Sequence, residues 1–294
     1  MRRRLLSTAA DAAETLAALT VKELPGRGRG VVATAPIPPG TTVHVTRPMA
    51  QVLKSASSET HCIECLDCMP SAPSSEGAPL CSAACAEAFD VRGGALLGRA
   101  DLAPLHELHA TEGRKFPLLV AHMLAELLAE IKRTRALPTS WAPLELCFAE
   151  LHDEAAPQLA REHTELVTAF VAAGLADEKT LELLLPLARY RRLLGAAQLN
   201  AFELTLSHGA TVSALLPGIA SCFNHSCAPN VLLACGATHE VAFVVDAAGD
   251  GIGVGDELCI SYVDVETTSR DERRELLQHK YGFDCQCPRC RRAE

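Results

Sequence analysis

Thirteen cysteines in a chain of 294 residues constrain this protein more than any other feature. They are grouped. Cys62, Cys65, Cys68, Cys81 and Cys85 form one set, and Cys285, Cys287 and Cys290 form another. An odd count at short spacings suits metal ligation better than a disulfide framework. No secretory apolar stretch follows Met1. The expectation is therefore a reducing, intracellular compartment in which thiols stay free to bind zinc.

The last set, Cys285-Gln286-Cys287-Pro288-Arg289-Cys290, packs three thiols into six residues. A structural zinc site closes at four ligands, so one must come from elsewhere. Spacing does not choose among Cys222, Cys227, Cys235 and Cys259. The first set runs Cys62-x2-Cys65, then fifteen residues, then Cys81-x3-Cys85. Two short pairs joined by a loop are what one zinc site needs. His61 and Cys68 are left over there as substitute ligands.

The rest of the composition narrows the class. At 48% hydrophobic and 21% charged residues the chain can bury a core and is not a disordered one. Its longest apolar runs, such as Val241 to Val245, fall far short of the ~20 residues that span a bilayer. No membrane partner is expected. A net charge of −9 argues against broad electrostatic binding to nucleic acid and leaves an acidic surface suited to basic partners such as histone tails. The start, Arg2 to Thr8, is basic and free of acids. It reads as an organelle transit peptide or as a ragged helical terminus.

Along the chain, residues 21–53 read as short strands and turns, with Val31-Val32 and Val43-His44-Val45 extended. Between about 100 and 206 the apolar residues take helical spacing, and Pro138, Pro143, Pro157 and Pro186 divide the region into several helices. Val241 to Val245 and Leu258 to Tyr262 read as strands, and Arg270 to Tyr281 as a charged final helix. Strands at both ends with helices between them predict α+β rather than a parallel βαβ series.

Four segments then occur in one order. Arg27-Gly28-Arg29-Gly30-Val31 comes first, where a lone Gly-x-Gly lacks the context of a dinucleotide fingerprint. Asn224-His225-Ser226-Cys227-Ala228-Pro229-Asn230 comes late, followed by Gly255-Asp256-Glu257-Leu258-Cys259-Ile260-Ser261-Tyr262 and by Tyr281-Gly282-Phe283-Asp284-Cys285-x-Cys287-x2-Cys290. Together they resemble a SET-domain protein lysine methyltransferase with a post-SET zinc tail. The cysteine insert resembles a MYND finger, which makes the chain most similar to the split SET–MYND-type subfamily, in its compact plant trithorax-related form. The resemblance covers roughly residues 20–292. It departs from a full MYND finger, which binds two zincs through eight ligands, because no His-x3-Cys follows Phe89.

That resemblance implies a SET-domain β fold with a pseudoknot, interrupted by the zinc-finger-like insert and a helical insert and closed by the zinc tail. The implied boundaries are 1–19 for an N-terminal extension, 20–266 for the split SET domain, 60–90 for the MYND-like insert, 95–200 for the helical insert and 267–294 for the tail. S-adenosylmethionine is the implied methyl donor. By motif match, Arg27, Gly28, Arg29, Gly30, Asn200, Ser221, Asn224, His225 and Phe283 hold the cofactor. Tyr262 lies at the methyl-transfer channel, and Tyr281 lines the channel for the substrate lysine. Cys227 becomes the fourth ligand beside Cys285, Cys287 and Cys290, and Cys62, Cys65, Cys81 and Cys85 hold one zinc in the insert. The implied partner is a protein substrate, a histone tail being one class, with no direct nucleic-acid binding. The implied compartment is nucleus or cytoplasm, or an organelle if the basic start is a transit peptide. A catalytically silent SET scaffold that binds proteins through its insert is the alternative.

Overall fold

The computed structural model describes residues 18–54, 60–66, 80–149, 151, 156–206, 209–235 and 240–292. Cys68 and nearly all of the basic N-terminal extension lie outside them. The strands are β1 (Leu19–Leu24), β2 (Gly28–Ala33), β3 (Thr42–Thr46), β4 (Ala50–Leu53), β5 (Ala201–Thr205), β6 (Thr211–Leu215), β7 (Asn224–His225), β8 (Val231–Cys235), β9 (Val241–Val245) and β10 (Glu257–Ile260). The helices are α1 (Ala83–Val91), α2 (Gly94–Leu97), α3 (Ala103–Glu112), α4 (Phe116–Thr134), α5 (Ala156–Ala172), α6 (Glu178–Leu184), α7 (Leu187–Asn200), α8 (Arg270–Tyr281) and α9 (Pro288–Arg291). The α+β expectation holds, and Val241 to Val245 and Arg270 to Tyr281 form the strand and helix expected of them.

The chain divides into two compact units, one of residues 1–47 with 217–294 and the other of 48–216. In the first unit one sheet has the order β1-β2-β10-β7 and another the order β3-β9-β8. β1 and β2 form a hairpin whose turn uses positive φ at Gly26 (+70°) and Gly28 (+65°), a region that costs a side-chain-bearing residue energy. Val31, Val32 and Ala33 carry β2 into the core. β10 then runs antiparallel to β2, pairing Leu258 with Val31, and parallel to β7, pairing Cys259 with Asn224 and Ile260 with His225. This lays the Asn-His-Ser-Cys segment beside the Gly-Asp-Glu-Leu strand, although 30 residues separate His225 from Gly255 in sequence.

β7 is only two residues long, so the ladder needs help beyond it. Asn230 supplies it. Its Nδ2 donates to the Glu257 carbonyl at 2.9 Å, and its Oδ1 accepts from the Cys259 N–H at 2.8 Å. One carboxamide thus satisfies a donor and an acceptor of β10 that would otherwise be left unpaired.

In the second unit β4, β6 and β5 form an antiparallel sheet, and the helices α1 to α7 carry most of the core. α4 is its centre, burying Leu118, Leu119, Met123, Leu124, Leu127 and Leu128 along its length. Prolines mark helix starts as expected, with Pro157 in the first turn of α5 and Pro186 at the N-cap of α7. Glu162 is buried, and Arg114 at 2.6 Å and the Tyr190 hydroxyl at 3.3 Å compensate its charge.

Candidate cofactor site and metal centres

The first unit gathers ten of the eleven residues that motif matching assigns to cofactor and channel. Arg27 sits at the tip of the β1–β2 hairpin. Its Nη2 donates to the His225 carbonyl at 3.0 Å, and its Nε pairs with a Glu257 carboxylate oxygen at 3.0 Å. Asn224 donates through Nδ2 to the same carboxylate at 2.8 Å and to the Arg29 carbonyl at 3.1 Å. Glu257 therefore ties β2, β7 and β10 together, a role sequence reading did not give it. Its place in the Gly-Asp-Glu-Leu motif was the available signal.

Gly30 lies at this junction. A β-carbon there would meet Leu24 at 2.3 Å and the Asn224 amide and Glu257 carboxylate at 2.9 Å each. The space is taken by the chain's own side chains. Gly28 serves differently, through its positive φ, with nothing within 4 Å of a β-carbon. Ser221, in the 3-10 turn Gly218–Cys222, donates to the Gly218 carbonyl at 2.8 Å. Asn200 belongs to the second unit, where its Nδ2 donates to the Cys147 and Ala196 carbonyls at 2.7 and 2.8 Å and braces the end of α7.

Four rings form a closed circuit. His225 lies 5.3 Å from Tyr262 and 5.9 Å from Phe283, centroid to centroid. Tyr281 lies 4.9 Å from Tyr262 and 6.3 Å from Phe283. All four pairs are tilted by 46–48°, midway between stacked and edge-to-face, at centroid separations in the range where aromatic rings attract. Gly282, at φ +73°, ends α8 and turns the chain so that Tyr281 and Phe283 both reach this circuit. The Tyr262 hydroxyl donates to the Phe223 carbonyl at 2.8 Å. Burial, then the neighbouring Tyr281, pushes the Tyr262 phenol up, so it stays neutral.

The tautomer of His225 follows from its partners. The Tyr262 backbone N–H donates to Nδ1 at 3.0 Å, and a backbone amide cannot accept. The ring proton is therefore on Nε2, which lies 3.2 Å from Cys227 Sγ and donates to it. Burial, then Arg27 and Arg273, holds the His225 imidazole down to about 4, so the neutral form is the resident one at neutral pH.

Cys227, Cys285, Cys287 and Cys290 come together with all four sulfurs within 4.8 Å of one another. The Cys227–Cys285 and Cys227–Cys290 sulfurs are 3.9 and 3.5 Å apart. A tetrahedral zinc with bonds near 2.3 Å would place its sulfurs ~3.8 Å apart, so the donor set fits. All four are buried, Cys227 completely. The sequence left four candidates for the fourth position, and the ladder of β7 with β10 precedes the turn that delivers Cys227. Arg289 holds that turn, donating to the Cys227 carbonyl at 3.4 Å and the Val265 carbonyl at 2.8 Å.

In the second unit Cys62, Cys65, Cys81 and Cys85 also lie within 4.8 Å of one another. The Cys65–Cys81 sulfurs are 3.2 Å apart and the Cys81–Cys85 sulfurs 3.5 Å. Cys62 and Cys65 sit on a tight turn in which the Cys65 N–H donates to Cys62 Sγ at 3.4 Å. Gln51 of β4 secures that turn, its Nε2 donating to the Ile63 and Glu64 carbonyls at 2.8 and 3.1 Å. Ser82 caps α1 and accepts from the Cys85 N–H at 3.2 Å, which fixes the second pair. This set fits one zinc as well, though Cys81 is exposed.

Comparison with known proteins agrees with this geometry. The SET-domain family model matches residues 28–263. The chain belongs to the SET-domain family. Over 72 residues it is 40% identical to mouse protein-lysine N-trimethyltransferase SMYD5, covering 24% of this chain and 17% of that one. Over 194 residues it is 26% identical to a SET and MYND domain-containing protein of Dictyostelium discoideum, covering 63% of this chain and 54% of that one. The SET–MYND-like subfamily is thereby supported, and the matches span less than two thirds of either relative's length. Among solved structures, the SET domain of LSMT bound to lysine and AdoHcy is similar at a TM-score of 0.39 and 13% identity, over 95% of this chain and 58% of that one. No described helix is long and apolar enough to cross a membrane.

Proposed function

We propose that this SET-domain chain is a protein-lysine N-methyltransferase that uses S-adenosylmethionine, with a basic protein segment such as a histone tail as substrate class. The observation that carries the reading is the closed circuit of His225, Tyr262, Tyr281 and Phe283, set against a buried four-cysteine centre. The naming of a similar mouse protein as a protein-lysine N-trimethyltransferase supports the reaction class.

When bound, S-adenosylmethionine supplies an electrophilic methyl group on a positively charged sulfur. The residues here suit that group. Ring faces attract cations, and Phe283 offers a flat apolar surface for a purine. Arg27, Arg29, Ser221 and Asn224 supply polar groups and backbone around the hairpin.

The chain's other task is to admit a neutral amine. A free lysine has a pKa near ~10.4 and is mostly charged at neutral pH. A channel lined by Tyr262 and Tyr281 disfavours the charged form and orients the nitrogen lone pair. Neutral phenols serve here, and burial keeps both phenols neutral by pushing their pKa values up. A zinc at Cys227, Cys285, Cys287 and Cys290 holds no reacting atom. Held there, it would fix the loop that carries Phe283 and the end of α8 that carries Tyr281.

The test is label transfer from S-adenosylmethionine into core histones and a proteome extract, with a folded, zinc-replete His225→Ala protein as control. Label that depends on His225 is expected, and the labelled band gives the substrate class. No transfer together with no cofactor binding by calorimetry would overturn the proposal and leave a SET scaffold that binds proteins through its zinc insert.

A further inference from the structure

Arg273 is the largest fully buried side chain of the described residues, with 1% of its surface exposed. A guanidinium is rarely found so deep without an anion beside it. Among the described residues no carboxylate is paired with it. Its Nη1 donates to the Thr268 carbonyl at 2.6 Å. Nε and Nη2 are buried and lack a well-formed hydrogen bond. Leu277, one helical turn on from Arg273, packs with Cys227, Cys285, Cys287 and Cys290, so the same face of α8 carries the guanidinium toward the sulfurs. Burial lowers the Arg273 pKa, and the sulfurs of Cys227 and Cys290 raise it by more.

A divalent zinc bound by four thiolates keeps two net negative charges. At an exposed site water solvates that charge. Here the four cysteines are buried, with Leu277 in the same cluster and Tyr262, Val263, Val265, Tyr281 and Phe283 packed against it. An uncompensated charge in such surroundings is costly. A buried cation with two N–H groups to spare is what the centre requires, and a buried Arg needs the same centre in return.

We propose that Arg273 is the resident counter-cation of the buried cysteine centre, donating through Nε and Nη2 to the metal-bound sulfurs of Cys227 and Cys290. The inference rests on the reading of this centre as a zinc site. His225 contributes the other donor to Cys227, so the assignment gives this sulfur hydrogen bonds from the β7 segment and from α8. Arg273 is a positioning residue in this scheme. It touches no substrate, and it acts by holding the metal that fixes Tyr281 and Phe283.

The experiment compares wild type with Arg273→Met, Arg273→Gln and Arg273→Lys in the full chain. Zinc content is measured first, with Cys290→Ser as reference, and zinc affinity by competition with a chromophoric chelator. Cobalt is then substituted for zinc and the sulfur-to-cobalt charge-transfer bands are recorded. Hydrogen bonds to thiolate stabilise its electrons, so losing them moves these bands to longer wavelength. Met and Gln are expected to weaken zinc at this site by about 10–100-fold, the usual effect of removing an outer-shell partner. They should also red-shift the bands, and Lys should restore most of both. If the Met variant does not fold, Gln against Lys decides, since both are polar and only Lys is charged. Gln and Lys behaving alike, or all three binding zinc within about twofold of wild type with unmoved bands, would overturn the assignment. Full zinc content in Cys290→Ser would overturn the zinc reading of the centre and the assignment with it.

Discussion

Cys81 of the insert centre is open to solvent and Cys227, the ligand that the β7 segment adds to the tail centre, is wholly buried, yet each is one of four sulfurs held within the same 4.8 Å. The donor sets are identical and the surroundings are not. At the insert, the neighbours of the Cys81 sulfur are the sulfurs of Cys65 and Cys85 and the Ser82 hydroxyl, at 3.2, 3.5 and 3.9 Å, none more than 16 residues away in sequence. At the tail, the neighbours of the sulfurs are a histidine from β7, an arginine from α8 and an aromatic circuit. Four thiols can therefore pin a surface turn or organise a core. Which they do depends on what lies outside the first ring of ligands.

The sharpest way to break this contrast is to remove one ligand from each centre. Cys290→Ser is expected to lower methyl transfer by at least about 100-fold, since zinc-dependent folding free energies reach ~10 kcal/mol or more and Tyr281 and Phe283 depend on that turn. Cys81→Ser is expected to lose its zinc with less than about a tenfold loss of transfer. Metal analysis should read one zinc in each variant against two in wild type. Equal losses of transfer would mean that the insert organises the site as strongly as the tail.

A second measurement separates the centres in time. Chelator should remove the insert metal at least about tenfold faster than the tail metal, because an exposed sulfur is open to attack by a competing ligand. Two phases of equal amplitude are expected from wild type, and Cys81→Ser should lose the fast one. A single phase would refute the idea that burial distinguishes the two.

A third prediction concerns acid. His122 of α4 shares a small cavity with Gln51, Ile63, Glu64 and Arg92, beneath the turn that carries Cys62 and Cys65. Burial, then Arg92, lowers its pKa to about 4 from an ordinary 6.5. As the pH falls below 6.5 the unfolded chain takes up a proton that the folded chain refuses. The stability is complete above that value and is lost between 6.5 and 4. The loss is on the order of 2–3 kcal/mol. Urea unfolding of wild type against His122→Gln at pH 7 and pH 5 measures it, and the variant should lose less stability over that interval.

Much of this was readable from residues. The cysteine pairs at 62/65 and 81/85 announce their centre by spacing, and Asn224 to Asn230 announces the segment that pairs with Glu257 to Ile260. What spacing could not do was choose Cys227, because its partners lie 58 to 63 residues away and only the parallel pairing of β7 with β10 delivers it. Glu257 and Asn230 were visible as motif letters with no role. Their work is to satisfy backbone and side chains of strands distant in sequence, which no local pattern encodes.

The hardest residue to read is Arg273, and its neighbour shows why. Arg273 and Arg274 are adjacent on α8, both in a run of charges that reads as a solvated helix. Residues four apart share a helix face, and Arg273 shares one with buried Leu277. Arg274 is turned about 100° away and makes a two-pronged pair with Asp284 at 2.7 and 2.8 Å, both side chains about two-fifths exposed. Exposed pairs contribute ~0.2–1 kcal/mol, and removing this one leaves neither charge buried. Arg274→Met is therefore expected to cost less than about 1 kcal/mol in urea unfolding and to leave zinc affinity within about twofold. A loss at Arg274 as large as that at Arg273 would mean that α8 needs positive charge in general, and that the direction of a guanidinium toward the sulfurs does not matter.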